Sequence, residues 1–355
     1  VTDTKGCTTT GNVTITEPTA LSATTTQTNV SCNGGSNGTA TATGGGGTSP
    51  YTYLWNDPAP AQSTSAVTGL TAGSWTVTVT DSKGCTTATT VSITEPAAIG
   101  IAITQTNVLC NGGSSGTATA TASGGTSPYT YIWNDPAPAQ STSTSTGLTA
   151  AAWTVTVTDS KGCTTATTVT ITEPAVLTVT SSQVNVSCNG NSDGTATAAG
   201  GGGTSPYTYL WNDPAPAQST ATATGLTAAT WTVTVTDAKG CTTATTVTIT
   251  EPAVLTVSVS QVNVSCNGGS DGTATASGVG GTSPYTYVWN DPAPSQSTGT
   301  ATGLTAAAWS VTVTDNKGCT VVSTVTITEP ATLATTISGT NVSCNGGSDG
   351  TVNLT

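Results

Sequence analysis

The interval from Lys5 to Lys83 repeats unchanged to Lys161, Lys239 and Lys317, and each of these lysines stands inside the same tripeptide, Lys-Gly-Cys. The Glu-Pro pairs that end at Pro18, Pro96, Pro174, Pro252 and Pro330 keep the same period without insertion or deletion. A strict period of this length constrains the fold more than composition does, because every repeat must be the same small structural unit. The chain therefore reads as four complete modules, 19–96, 97–174, 175–252 and 253–330. Residues 1–18 end a partial repeat and residues 331–355 begin another.

The repeat 175–252 shows what one module is made of. Leu177-Thr-Val-Thr alternates apolar and polar residues and leads to Asn185-Val-Ser-Cys188, which predicts a first strand. Asn189-Gly-Asn-Ser-Asp-Gly194 gathers turn formers, and Thr195-Ala-Thr-Ala-Ala199 alternates again as a second strand. Gly200–Pro206 is a glycine-rich turn before the strand Tyr207-Thr-Tyr-Leu-Trp211, which Asp213-Pro-Ala-Pro ends. One or two short strands are expected in Ser219–Thr224, followed by a turn at Gly225-Leu-Thr-Ala. Trp231-Thr-Val-Thr-Val-Thr236 is the clearest strand, Lys239-Gly240 turns the chain, and Cys241–Thr250 returns. Short Thr/Val-rich strands between Gly, Pro and Asn turns, with no helical period, predict an all-β chain of tandem immunoglobulin-like antiparallel β-sandwiches. Glu-Pro followed by one or two small residues leaves little slack between modules, so an elongated rod is expected.

Two tryptophans fall in each module: Trp55 and Trp75, Trp133 and Trp153, Trp211 and Trp231, Trp289 and Trp309. They are expected in the core, packed against alanine faces such as Ala196 and Ala198, since large against small fills a thin core. Modules this small bury little surface, and a covalent staple is expected where the compartment allows one. Ten cysteines supply it, with a short gap and a long gap in strict alternation, as from Cys7 to Cys32 and from Cys32 to Cys85. With no Cys-x-x-Cys pair and no histidine, Cys7, Cys32, Cys85, Cys110, Cys163, Cys188, Cys241, Cys266, Cys319 and Cys344 read as a disulfide framework rather than a zinc site.

Composition and motifs exclude several functions. A formal charge of −12 with five cations in 355 residues argues against nucleic acid, whose phosphates demand Lys and Arg. No apolar run is long enough to span a membrane in this segment. Without histidine no Ser-His-Asp or Cys-His site can be assembled, so neither an enzyme nor a cofactor is expected. Asp213, Asp237 and Glu251 recur in every module but fall in separate turns and strand ends, unlike a glycosidase pair. Asp193, Asp271 and Asp349 invite a calcium reading, yet Asn37 and Ser115 occupy the same position, so a turn is the better account and no metal site is assigned. The lysines sit at hairpin tips, solvated beside the glycine that makes the turn.

Asn-Val-Ser-Cys-Asn-Gly-Gly-Ser-Asp-Gly at 263–272, Gly-Gly-Thr-Ser-Pro-Tyr-Thr-Tyr-Val-Trp at 280–289 and Trp-Ser-Val-Thr-Val-Thr-Asp-Asn-Lys-Gly-Cys at 309–319 together resemble the SprB-type repeat of Bacteroidota surface proteins. The resemblance covers every complete repeat. It implies a cell-surface filament or gliding-motility adhesin, exported by the type IX secretion system, and it carries no catalytic residues. The expected function is therefore a non-catalytic, disulfide-stapled stalk segment at the bacterial cell surface, for attachment or gliding, cut from a longer chain. Its partners are neighbouring modules or other copies of the filament. The rival reading is a set of polysaccharide-binding modules that use exposed Tyr and Trp, which buried Tyr51, Tyr129, Tyr207 and Tyr285 would disfavour.

Two pairings of the cysteines are open. One closes a loop inside each module, Cys188 with Cys241. The other staples adjacent modules: Cys32 with Cys163, Cys110 with Cys241, Cys188 with Cys319. The expected placement of the two turns at opposite ends of a sandwich favours the second, because a disulfide tolerates Cα separations of only about 4.4–6.8 Å.

Overall fold

A computed structural model describes residues 1–57, 61–135, 138–213, 216–291 and 294–355. Among these residues the chain is all β, with no helix. The first module supplies β1 (Ser22–Thr28), β2 (Gly38–Gly45), β3 (Thr52–Trp55), β4 (Ala66–Leu70), β5 (Gly73–Thr80) and β6 (Thr86–Ile93). The second repeats the series as β7 (Gly100–Thr106), β8 (Gly116–Ser123), β9 (Tyr129–Trp133), β10 (Thr144–Leu148), β11 (Ala151–Asp159) and β12 (Thr164–Ile171). The third has β13 (Thr178–Val184), β14 (Gly194–Gly201), β15 (Thr208–Trp211), β16 (Thr222–Leu226), β17 (Ala229–Thr236) and β18 (Thr242–Ile249). The fourth has β19 (Thr256–Val262), β20 (Gly272–Val279), β21 (Thr286–Trp289), β22 (Thr300–Leu304), β23 (Ala308–Thr314) and β24 (Thr320–Thr326), and the hairpin β25 (Ile337–Thr340) and β26 (Thr351–Leu354) follows. The chain divides into two compact units, Val1–Pro174 and Ala175–Thr355.

Each module is a sandwich of two three-stranded antiparallel sheets, ordered β1-β2-β4 and β3-β5-β6 in the first. The alternation of small and branched residues with threonine puts one face of every strand inward. Ala40 and Ala42 of β2, Val67 and Leu70 of β4, Trp55 of β3, Val77 and Val79 of β5, and Val91 and Ile93 of β6 form one core. Trp55, Trp133, Trp211 and Trp289 are the largest fully buried side chains. Each donates its indole N–H to a carbonyl within its module, Trp55 to Thr64 O at 3.0 Å, so no polar group is orphaned by the burial. The second tryptophan lies on the neighbouring strand: Trp153 and Trp231 are buried, Trp75 and Trp309 partly so, all packed on the same cores. Ala196 and Ala198 belong to the cluster that holds Trp211 and Trp231.

The structure departs from the sequence reading in two places. The first strand, β13, ends at Val184, and Asn185–Cys188 leaves the sheet. Val186 N donates to Thr250 O, and Asn185 Oδ1 accepts from Thr250 N, so this segment crosses to the end of the other sheet with Val186 in the core. The segment from Ser219 supplies one strand, and that strand runs through Gly225 and Leu226 instead of turning there. Gly225 has φ of +70° and interrupts the register against β14 as a bulge, which lets Leu226 reach the core. Pro214 and Ala215 of the expected strand break lie outside the described residues.

Candidate functional site: the module junction

Asp159 organises the hairpin tip between β11 and β12. Its Oδ1 accepts from the amides of Lys161 and Cys163 at 2.8 and 2.9 Å, and Asp159 N donates to Cys163 O at 2.9 Å. Its Oδ2 accepts from Thr126 N at 2.9 Å, which ties the tip to the glycine-rich turn after β8. Asp81, Asp237 and Asp315 make the same bonds in the other modules. At Asp81 the hydrogen bond from Thr48, then that from Cys85, holds the carboxyl below the ordinary carboxylate range. At Asp159, Asp237 and Asp315 burial is the largest single influence and pushes upward, but the combined hydrogen bonds outweigh it and the carboxyl is again lowered. The lysine side chain stays exposed at each of these tips.

A second turn, between β1 and β2, carries the other cysteine. Ser31 N donates to Asn37 Oδ1 at 3.0 Å, Leu109 N to Ser115 Oγ at 2.9 Å and Ser187 N to Asp193 Oδ1 at 3.0 Å. Asn, Ser and Asp thus serve one backbone bond, which accounts for their interchange without a metal. At Asp193 the Ser187 hydroxyl, then its amide, lowers the carboxyl.

The linker between modules is gripped from both sides. Asn33 Nδ2 donates to Glu95 Oε1 at 3.0 Å and to Pro96 O at 3.1 Å, while Gly34 N donates to Glu95 Oε2 at 2.6 Å. The next carbonyl, Ala97 O, accepts from Gly125 N of the second module at 2.7 Å. Consecutive peptide carbonyls are therefore bonded to two different modules. The fourth module receives its linker the same way, with Pro252 O held by Asn189 at 3.1 Å and Ala253 O by Gly281 at 2.8 Å. Close approach of the linker needs glycine: a Cβ on Gly124, at φ +70°, would lie 2.1 Å from Ala98 O.

These turns meet at a disulfide. Cys32 of the first module bonds Cys163 of the second, with Cα atoms 5.6 Å apart, and Cys188 of the third bonds Cys319 of the fourth at 5.7 Å. Each pair is separated by 131 residues. In the chain-entropy treatment a loop of that length stabilises the fold by about 5 kcal/mol. Cys110 and Cys241 are disulfide-bonded as well. Cys7, Cys85, Cys266 and Cys344 are free and exposed, which corrects the expectation that all ten are bonded. The given sequence holds no cysteine at the 131-residue offset in the direction each of the four would use.

Beside the Cys32–Cys163 bond lies an open cleft of about 420 Å³, bordered by Asn33, Pro96, Ile99, Gly125 and Asp159. Asn33 and Asp159 on its wall are already engaged in the junction's own hydrogen bonds. Tyr51, Tyr129, Tyr207 and Tyr285 are partly buried against the cores, and each hydroxyl donates to a carbonyl of the adjacent glycine turn. The roles of Asp159, Asn33 and Glu95 escaped the sequence reading. The signal was present in the fixed spacing of Asp before Lys-Gly-Cys, an Asx-turn pattern.

The SprB repeat family model matches residues 24–60, 102–138, 180–216 and 258–294, once in each module and in step with the module period. These are SprB repeats. No curated protein is detectably similar to the chain in sequence. Among solved structures, the SprB-repeat chain is similar to invasin, a bacterial integrin-binding protein, at 15% identity and a TM-score of 0.32, covering 87% of this chain and 79% of that one. The first six domains of surface layer protein SbsC give 16% identity and 0.24, covering 90% and 61%. The eight N-terminal immunoglobulin domains of Down Syndrome Cell Adhesion Molecule give 10% and 0.30, covering 88% and 61%. The chain thus spans less than two thirds of the last two.

Proposed function

We propose that this array of SprB repeats is a stalk segment of a long, secreted cell-surface filament or adhesin, and that it performs no catalysis. The observation that carries the reading is the junction, where adjacent carbonyls of one linker are bonded to different modules beside a disulfide. Such a joint serves spacing and alignment, and nothing in its chemistry turns over a substrate. Bonded cysteines fit an oxidising, extracellular setting. The repeat family adds attachment or gliding at the surface of a Bacteroidota cell, with export through type IX secretion, as the specific form of that role. The packing of the four turn tyrosines against the core weighs against a polysaccharide platform.

Two measurements test the proposal. Antibodies raised against the chain are expected to label intact cells of the source organism, and brief protease treatment of those cells to abolish the label. Signal seen only after permeabilisation would overturn surface display. On a glycan array the full chain is expected to bind nothing, whereas reproducible micromolar binding would transfer the function to the modules themselves.

A further inference from the structure

We infer that the disulfides give the chain a second function, that of a tension-bearing tether whose stretched length is capped by the bonds whether or not its modules stay folded. The inference deepens the stalk reading, but it rests on covalent connectivity and can fail or hold independently of where the chain is displayed.

Along the backbone, the route from Cys32 to Cys319 traverses every residue between them. Through the disulfides the route is far shorter: Cys32 to Cys163 by one bond, along the chain to Cys188, and then by a second bond to Cys319. Only the stretch from Cys163 to Cys188 separates the two bonds. Residues 33–162 and 189–318 hang off this route, and the bonded Cys110 and Cys241 lie within them, off the shortest path. Force applied at the chain ends passes them by, so unravelling their strands releases no length.

The short route also runs through strands that are each already extended. It consists of β12, eight residues, the linker through Glu173-Pro174, and β13, seven residues, before the turn that carries Cys188. A strand rises about 3.3 Å per residue, close to the limit of about 3.3–3.6 Å for a fully extended chain. Unfolding these strands therefore adds little. A tandem array with bonds closed inside each module would behave differently, because every linker between one hairpin cysteine and the next module's first cysteine would stay in series along the whole chain.

The test is single-molecule stretching of the full chain, held by handles at Val1 and Thr355, in oxidising buffer and again with a phosphine reductant. With the bonds intact the limiting end-to-end length is expected at about 330 Å, and after reduction at about 1200 Å, a rise of nearly fourfold. The limiting length reads connectivity even if the reduced chain does not fold. A limit of about 500 Å under oxidising conditions would reveal pairing within modules and overturn the inference. A limit of about 1200 Å already reached before reduction would overturn it as well. Replacing both Cys32→Ser and Cys188→Ser must lengthen the oxidised chain without reductant; an unchanged limit in that variant would count equally against the tether.

Discussion

Asp159 accepts hydrogen bonds from the amides of Thr126, Lys161 and Cys163, so one carboxylate shapes the hairpin tip, binds it to a neighbouring turn and aims the cysteine. In Asp159→Ala these donors lose their acceptor; the melting temperature is expected to fall by several degrees, with Asp159→Asn intermediate because one oxygen remains. Thermal melts of the oxidised variants check the order, and titratable thiol at Cys163 should rise with the damage. The same groups set the response to acid. Asp81, Asp159, Asp193, Asp213, Asp237, Asp271, Asp291, Asp315 and Asp349 all lie below the usual 3.8 in the folded chain. A lowered carboxyl contributes stability that is fully present above its unfolded value and is lost as pH falls through its folded value. Melting temperature should therefore be level from about pH 7 to about pH 5 and drop only below about pH 4. A drop already under way at about pH 6 would contradict this assignment. At this scale the sequence displayed the recurrence of Asp237 but not its use, because an acceptor's partners are backbone amides that every residue type carries.

Elements were more legible than residues. Alternation located the strands around Ala196, Tyr209 and Val233, because period two and one-sided burial are the same fact. What alternation hid was Leu226, brought into β16 by the bulge at Gly225, and Val186, which leaves the first strand to reach the opposite sheet. Both depend on a partner far along the chain, which local pattern does not encode. The linker depends on such partners too, and two substitutions probe it. In Glu95→Ala the Gly34 amide loses its acceptor, and its hydrogen exchange is expected to quicken about five- to tenfold while core amides such as Val77 stay protected. Amide-resolved exchange by NMR reads both at once. Gly124→Ala forces a Cβ toward Ala98 O at a left-handed φ, so the second module should lose about 1–3 kcal/mol in denaturant titration. Equal stability of that variant would show that the linker can move away from the turn.

For the whole molecule, the alternation of short and long gaps between cysteines announced a framework but admitted two connectivities, since spacing alone says nothing about which turns meet. The structure joins cysteines 131 residues apart, across each of the junctions Cys32–Cys163 and Cys188–Cys319. Each bond restricts the unfolded chain through a loop that takes in most of two modules, so its stabilisation belongs to the pair and not to either member. Removing one bond should therefore weaken two adjacent modules together and leave the other unit alone. Cys32→Ser is expected to shift urea unfolding of residues 1–174 to lower concentration by roughly 2 M, from about 5 kcal/mol divided by a typical urea slope. Cys188→Ser should do the same to residues 175–355. The buried Trp55, Trp133, Trp211 and Trp289 serve as one fluorescent reporter per module when the other three are replaced by Phe. In the Cys32→Ser background the reporters at 55 and 133 should move to the same lower midpoint, and those at 211 and 289 should keep theirs. A shift confined to Trp55 alone would mean that each module draws its stability from its own core, with the disulfide acting only as a tie between finished domains.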